Sequence, residues 1–210
     1  MKVEIVNISG KKTGKSVELN ADIFGIEPND HAIYLAVKQY LANQRQGTHK
    51  SREKGETAGS TRKLHRQKGT GGSRKGSIKN PLFHGGGTMF GPRPRNYEFK
   101  LNRKVKELAK RSALSYKAKE NGIYIIEDFK MDTPKTKEFS NILKSLGVNG
   151  KRTLMVLADG DHAIQLSGRN IPKTETSKAS DLNTYAVMKA QCLIISESSL
   201  NIINGSAQQN

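Results

Sequence analysis

The sequence predicts an α/β protein: a three-layer βαβ-type body with a mostly parallel sheet, and one long extended basic loop inserted between two helices. Three observations predict it. Short apolar runs, IYII (123–126), TLMVLA (153–158) and CLIIS (192–196), recur in the second half of the chain. Unbroken runs of this length mark strands buried on both faces. Segments of helical period separate them, which makes βαβ units and a sheet covered by helices on both sides. Between residues 43 and 96 neither period survives, and Gly, Lys and Arg take the place of apolar residues. The expected domains are a globular α/β body, 1–42 with 97–210, and an extended loop, 43–96.

Each element has its own signal. Lys2 to Ile8 alternates, with Val3, Ile5 and Asn7 on one face. Lys15 to Leu19 repeats the pattern after a turn over Gly10–Gly14, so a hairpin opens the chain. Phe24 and Ile26 lead to the N-cap pair Asn29-Asp30, and Ile33, Val37, Tyr40 and Leu41 then give an amphipathic helix ending near Asn43. After the loop, Asn102 is expected to cap a helix from Arg103 to about Glu120, with Val105, Leu108, Ala109 and Leu114 as its stripe. Gly122 is expected to supply its left-handed stop. Following IYII, Pro134 opens a helix carrying Phe139, Ile142, Leu143 and Leu146, and Gly147 closes it. Asp161 starts a short helix after the second buried strand, and a weak strand is expected near Ile171. Asp181 opens a helix with Leu182, Tyr185 and Met188, and Ser198 to Ile203 forms a short helix before a polar tail.

The loop holds most of the charge. Its 54 residues contain 13 Lys/Arg against Glu53 and Glu56, which is +11 of a net +17. They also contain 11 of the 20 glycines and three of the six prolines. Such a segment buries too little apolar surface to offset the entropy of ordering its own backbone, so it is expected to order against a polyanion. Run out and back at ~3.3 Å per residue it reaches at most ~90 Å, against a radius of gyration of ~15 Å for a body of this size. Clustered positive charge in a glycine-rich tract is an electrostatic footprint for nucleic acid. Arg and Lys neutralise phosphates, and Arg or His planes stack on splayed bases. The candidate nucleic-acid ligands are Arg45, Lys50, Arg52, Arg62, Lys63, His65, Arg66, Lys68, Arg74, Lys75, Lys79, His84, Arg93 and Arg95.

Other functions have less to stand on. No strand runs into a dinucleotide fingerprint: GTGGSRKG (69–76) lies in mid-loop, with no strand before it and no helix N-terminus after it. A GxxxxGK[ST] phosphate loop is absent, since Pro92 follows the Gly86–Gly91 pair. Asp159, Asp161 and His162 read as a turn and helix cap around Gly160, and His49, His65 and His84 have no zinc spacing. No metal, cofactor or catalytic residue is expected. The single Cys192 sits in an apolar run as a small hydrophobe and fits a reducing compartment. The N-terminus has no signal-peptide core, and no apolar run approaches membrane-spanning length, so a soluble cytoplasmic protein without membrane contact is expected. Two rivals remain: a nucleic-acid-processing enzyme, which would need clustered acidic ligands near the basic region, and a free regulatory or chromatin-like binder.

The runs RQGT (45–48) and RQKGTGGSRKGSIKNPLFHGGGTMFGPRPR (66–95) resemble the universal L-four family of large-subunit ribosomal proteins in its bacterial form. The resemblance continues through NRKVKELAKRSALSYK (102–117) and PKTKEF (134–139), and covers most of the chain. It implies a non-enzymatic structural protein of the large subunit, a primary binder of large-subunit ribosomal RNA that acts early in assembly. Its neighbours would be other large-subunit proteins and, at the loop tip, the nascent peptide in the exit tunnel. Carried over, Arg66, Gln67, Lys68, Gly69, Thr70, Gly71 and Arg74 would form the tunnel tip. Gly76, Ser77, Lys79, Gly85, Gly86, Gly87, Arg93 and Arg95 would lie along an RNA-packed stem. The chain departs from related members at Gly72 and His84, where arginine is common, and at Leu64-His65, where a proline-aromatic pair is common.

Overall fold

A computed structural model describes residues 2–205. The polar tail, 206–210, lies outside the described residues. Contacts divide the chain into two compact units, one of them Ala42–Phe99.

The larger unit is built on a six-stranded sheet. The opening hairpin pairs β1 (Lys2–Val6) antiparallel with β2 (Lys12–Glu18). Asn7 belongs to the turn, where its side chain accepts from the N–H groups of Ser9 and Lys11 at 3.0 Å each. β3 (Ile123–Ile126), β4 (Thr153–Leu157), β5 (Thr174–Lys178) and β6 (Cys192–Ser196) join β1 in parallel, in the order β2-β1-β3-β6-β4-β5. Alternation along the central strands builds two cores. Ile123, Ile125, Leu154, Val156, Leu193 and Ile195 face one way, with Ile5 in register beside Ile125. Ile126, Met155, Leu157, Cys192 and Ile194 face the other. Because both faces are covered, the central strands are apolar except at two ends, Thr153 and Ser196.

Helices close the two cores separately. The first core takes Ile23 and Phe24 from α1 (Ala21–Phe24) and Ala113, Leu114 and Ala118 from α3 (Arg103–Lys119). Val187 of α6 (Thr184–Lys189) and Leu200 and Ile203 of α7 (Glu197–Gly205) complete it. Phe139, Ile142 and Leu143 of α4 (Thr136–Ser145) and Ile164 of α5 (His162–Arg169) cover the second. The result is the three-layer α/β arrangement expected. The remaining helix, α2 (Asp30–Asn43), is capped by Asn29, whose side chain accepts from the Ala32 N–H at 2.9 Å.

Several local expectations are corrected. α2 buries Ala32, Ile33, Ala36 and Gln39, while Leu41 is exposed and Val37 and Tyr40 are only half-buried. Ala32 and Ala36 pack on Ala109 of α3 in a small cluster beside Val105, which an apolar stripe does not announce. Asn102 makes no side-chain cap bond. The left-handed residue after α3 is Asn121 (φ 54), not Gly122. The Asn121 N–H donates to Ala118 O and the Gly122 N–H to Lys117 O, the paired bonds of a Schellman stop. The weak strand falls at 174–178, because Ile171 lies in the turn before it. The cap of α6 is Asn183, which accepts from the Ala186 N–H at 2.8 Å, rather than Asp181. The short α1 was not read from sequence, although its cap Asn20, which accepts from the Asp22 N–H at 2.9 Å, and the Gly25 after it mark its ends.

In doubly wound sheets ligands bind outside the carboxyl ends of the strands. Here the chain's own groups occupy that edge. The Asp128 carboxylate accepts from the Ser198 N–H at 3.2 Å and its hydroxyl at 2.5 Å. The buried Ser199 hydroxyl donates to Val156 O at 3.0 Å. Asp161 accepts from the Ala163 N–H at 3.1 Å, the capping role read for it from sequence. Burial pushes the Cys192 thiol pKa up. No group of three or more metal-ligating side chains occurs among the described residues.

Candidate nucleic-acid interface

Residues 45–102, between α2 and α3, contain no helix or strand, yet the segment has an internal order. Its two limbs run antiparallel and are tied by sparse backbone bonds. The Arg95 N–H donates to Gly47 O at 3.2 Å, Ser51 N–H to Pro92 O at 3.0 Å, and Thr88 N–H to Arg52 O at 2.9 Å. Further along, the Leu64 N–H donates to Gly76 O at 3.1 Å, and the Ser77 hydroxyl to Ser60 O at 3.0 Å. Glycine makes this approach possible at two rungs. Gly47 has φ 67, and a Cβ there would stand 2.0 Å from Arg95 O. A Cβ on Gly87, the one buried residue of 43–96, would stand 2.4 Å from Lys54 N.

The last tie joins His65 Nε2 and Ser73 O at 2.8 Å, and beyond it the chain reverses. Gln67, Lys68, Gly69, Thr70 and Gly71 form that reversal, with Arg66 entering it and Arg74 leaving it, all exposed. A Cβ on Gly69, Gly71 or Gly72 would meet nothing within 4 Å. The residues expected at a tip are therefore neighbours in space at the turn of the two limbs.

The candidate cations differ in their surroundings. Lys50 is ion-paired with Glu56, and Arg93 with Glu53 at 2.5 Å. The Lys50 hydrogen bond, followed by the Glu53 backbone, holds the Glu56 carboxyl below the usual range. Lys63 donates to the Gln67 side chain. Arg45 and Arg95 lie over the Tyr97 ring, 3.9 and 4.5 Å from its centroid, and His49 Nε2 is 2.6 Å from the Tyr97 hydroxyl. Lys75 sits 5.7 Å from the Phe83 ring centroid. Arg62, Arg66, Lys68, Arg74 and Lys79 have no carboxylate partner among the described residues, and of these only Lys79 is half-buried; Arg52 makes no ion pair, but its charge also helps lower the Glu56 carboxyl. His84 is exposed. Tyr97 was missed by the sequence reading; its signal was an aromatic two residues after the Arg-Pro-Arg run. The ladder is held by backbone groups, so most cationic side chains remain available to an anionic partner.

The profile of the ribosomal protein L4/L1 family matches residues 17–206. The chain belongs to that family. Named relatives are similar to it over nearly their whole length. The large ribosomal subunit protein uL4 of Parabacteroides distasonis is 60% identical over 203 residues, 97% of each chain. Those of Phocaeicola vulgatus and Flavobacterium psychrophilum are each 56% identical, over 203 and 200 residues, covering 97% and 95% of this chain and 98% and 96% of theirs. The family is one of structural ribosomal proteins, not of enzymes.

Proposed function

We propose that this chain, as an L4/L1-family member a structural constituent of the large ribosomal subunit, binds large-subunit ribosomal RNA through residues 43–96. In this reading it acts early in subunit assembly. Its 66–74 reversal contributes to the wall of the polypeptide exit tunnel, next to the nascent peptide, and other large-subunit proteins are its neighbours. The observation that carries the RNA reading is the ladder itself. Backbone bonds and close glycine contacts hold two limbs together while Arg62, Arg66, Lys68 and Arg74 project without carboxylate partners. An RNA backbone supplies the missing counter-charge, and glycine lets the chain lie close to it.

Sedimentation tests the assignment. The chain is expected to travel with large subunits on a sucrose gradient and to stay there through a high-salt wash. A chain that washes off, or never sediments, points instead to a free regulatory binder. The reversal is tested with Lys68→Glu against Lys50→Glu, whose lysine already faces Glu56. Lys68→Glu is expected to alter macrolide inhibition or nascent-chain stalling, with Lys50→Glu close to wild type. Equal behaviour of the two removes the tunnel assignment and leaves RNA binding standing.

A further inference from the structure

Phe90 is an anomaly in this segment. It is 100% exposed, and its backbone lies in the left-handed region at φ 52. A bulky non-glycine residue there is a genuine outlier, and such strain persists only where the surrounding structure imposes it. The surroundings do impose it. On one side the Gly87 N–H donates to Lys79 O and the Thr88 N–H to Arg52 O; on the other the Ser51 N–H donates to Pro92 O. Gly91 is pressed against Ser51, since a Cβ there would stand 1.8 Å from its Oγ. The chain between Thr88 and Pro92 is thus pinned at both ends, and its bend drives Met89 (63% exposed) and Phe90 outward.

Beside the ring is a hollow of about 700 Å³, lined by Lys54, Asn80, Pro81, Thr88 and Arg93 among others. That volume is in the range of small-ligand sites. Glu53 also lines it, with its charge already matched by Arg93. A flat apolar ring, amide and hydroxyl groups for hydrogen bonding, and a cation without an ion pair, Lys54, are the elements that recognise an unpaired base on a phosphate backbone.

We propose that Phe90 is a stacking platform for a splayed nucleobase, with the adjoining hollow receiving the base edge and Lys54 its phosphate. This rests on the RNA-binding reading above and adds a site to it. The net +11 of residues 43–96 selects a polyanion over an apolar protein surface as the occupant.

The chain contains no tryptophan, so Phe90→Trp places a single indole at the site. The probe is protein-free large-subunit ribosomal RNA added to the full-length chain. Stacking is expected to quench the Phe90→Trp emission, while Leu82→Trp, 88% exposed in the same segment, keeps most of its emission. Phe90→Ala and Phe90→Leu are expected to weaken RNA binding by about 5- to 150-fold, with Phe90→Tyr close to wild type. The slope of affinity with salt stays unchanged in all three, because no charge is altered. If wild type binds and Phe90→Ala binds equally well, or if Leu82→Trp is quenched as strongly, the stacking site is refuted while RNA binding survives. An indole unaffected by free RNA and shielded from acrylamide only in assembled subunits would mean that a protein covers Phe90, which also overturns the proposal. Failure of wild type to bind the RNA overturns the RNA reading itself.

Discussion

Freeing the two paired cations of the ladder should steepen the salt dependence of RNA binding. The perturbation is the double substitution Glu53→Gln with Glu56→Gln. Of the 13 Lys/Arg of residues 43–96, Arg93 and Lys50 are matched by these carboxylates. Each cation that meets a phosphate contributes about −0.7 to −0.9 to the slope of log K against log[salt], for single and double strands respectively. If about half of the unmatched cations bind phosphate, the wild-type slope is about −4 to −5. Releasing two more makes it steeper by up to about 1.4 to 1.8. The amides keep the size and much of the hydrogen bonding of the carboxylates, so the ladder is preserved. Fluorescence anisotropy of labelled large-subunit RNA, titrated between roughly 50 and 300 mM salt, reads the slope directly. A wild-type slope near zero would show that binding is not chiefly ionic. A double variant with the wild-type slope would show that Lys50 and Arg93 already meet phosphate despite their partners.

Three further outcomes are expected. Phe139→Ala empties a fully buried site in the second core and should cost about 3–5 kcal/mol in denaturant unfolding; a loss under 1 kcal/mol would mean that the core collapses around the gap. Gly47→Ala forces a Cβ toward Arg95 O and off its favoured φ, so trypsin should cut residues 43–96 faster while the melting temperature of the α/β body holds; unchanged cleavage would argue against the Gly47–Arg95 rung. Cys192 is buried with its thiol pKa raised by desolvation, so a thiol reagent near pH 8 should react with it only on unfolding, and rapid labelling of the native chain would contradict its burial.

Legibility followed burial. IYII, TLMVL and CLIIS were readable because strands covered on both faces keep polar residues out of their middles, with only Thr153 and Ser196 at their ends. The TETSK strand at 174–178 was misplaced because it is an edge strand, half-exposed and polar throughout. In α2 Ile33 is buried as read, but Ala32 and Ala36 pack beside it with side chains that carry little hydrophobic signal, so Leu41 was wrongly added to the face. Asn121 took the left-handed position next to Gly122 because asparagine tolerates it, while Gly122 is needed where a Cβ would stand 3.0 Å from Gln191 O. The cations of 43–96 were visible as composition. Their sorting into matched and unmatched was not, since Glu53 and Arg93 are 40 positions apart and no periodicity connects them. Phe90 was visible only as an apolar residue, because its backbone angle is a tertiary property.

At the reversal a Cβ on Gly69, Gly71 or Gly72 would have open space around it, and that has a bearing on how this part of the chain can vary in length. Below it, a residue inserted in one limb shifts every later rung out of step with the other, unless the opposite limb changes too. At the reversal no rung is disturbed by a residue gained or lost. Within its own unit the chain thus sets the spacing of the two limbs but leaves the size of their hairpin end open. Any selection on that size must come from whatever surrounds it, so the hairpin end records the dimensions of its surroundings, whereas the limbs record only each other.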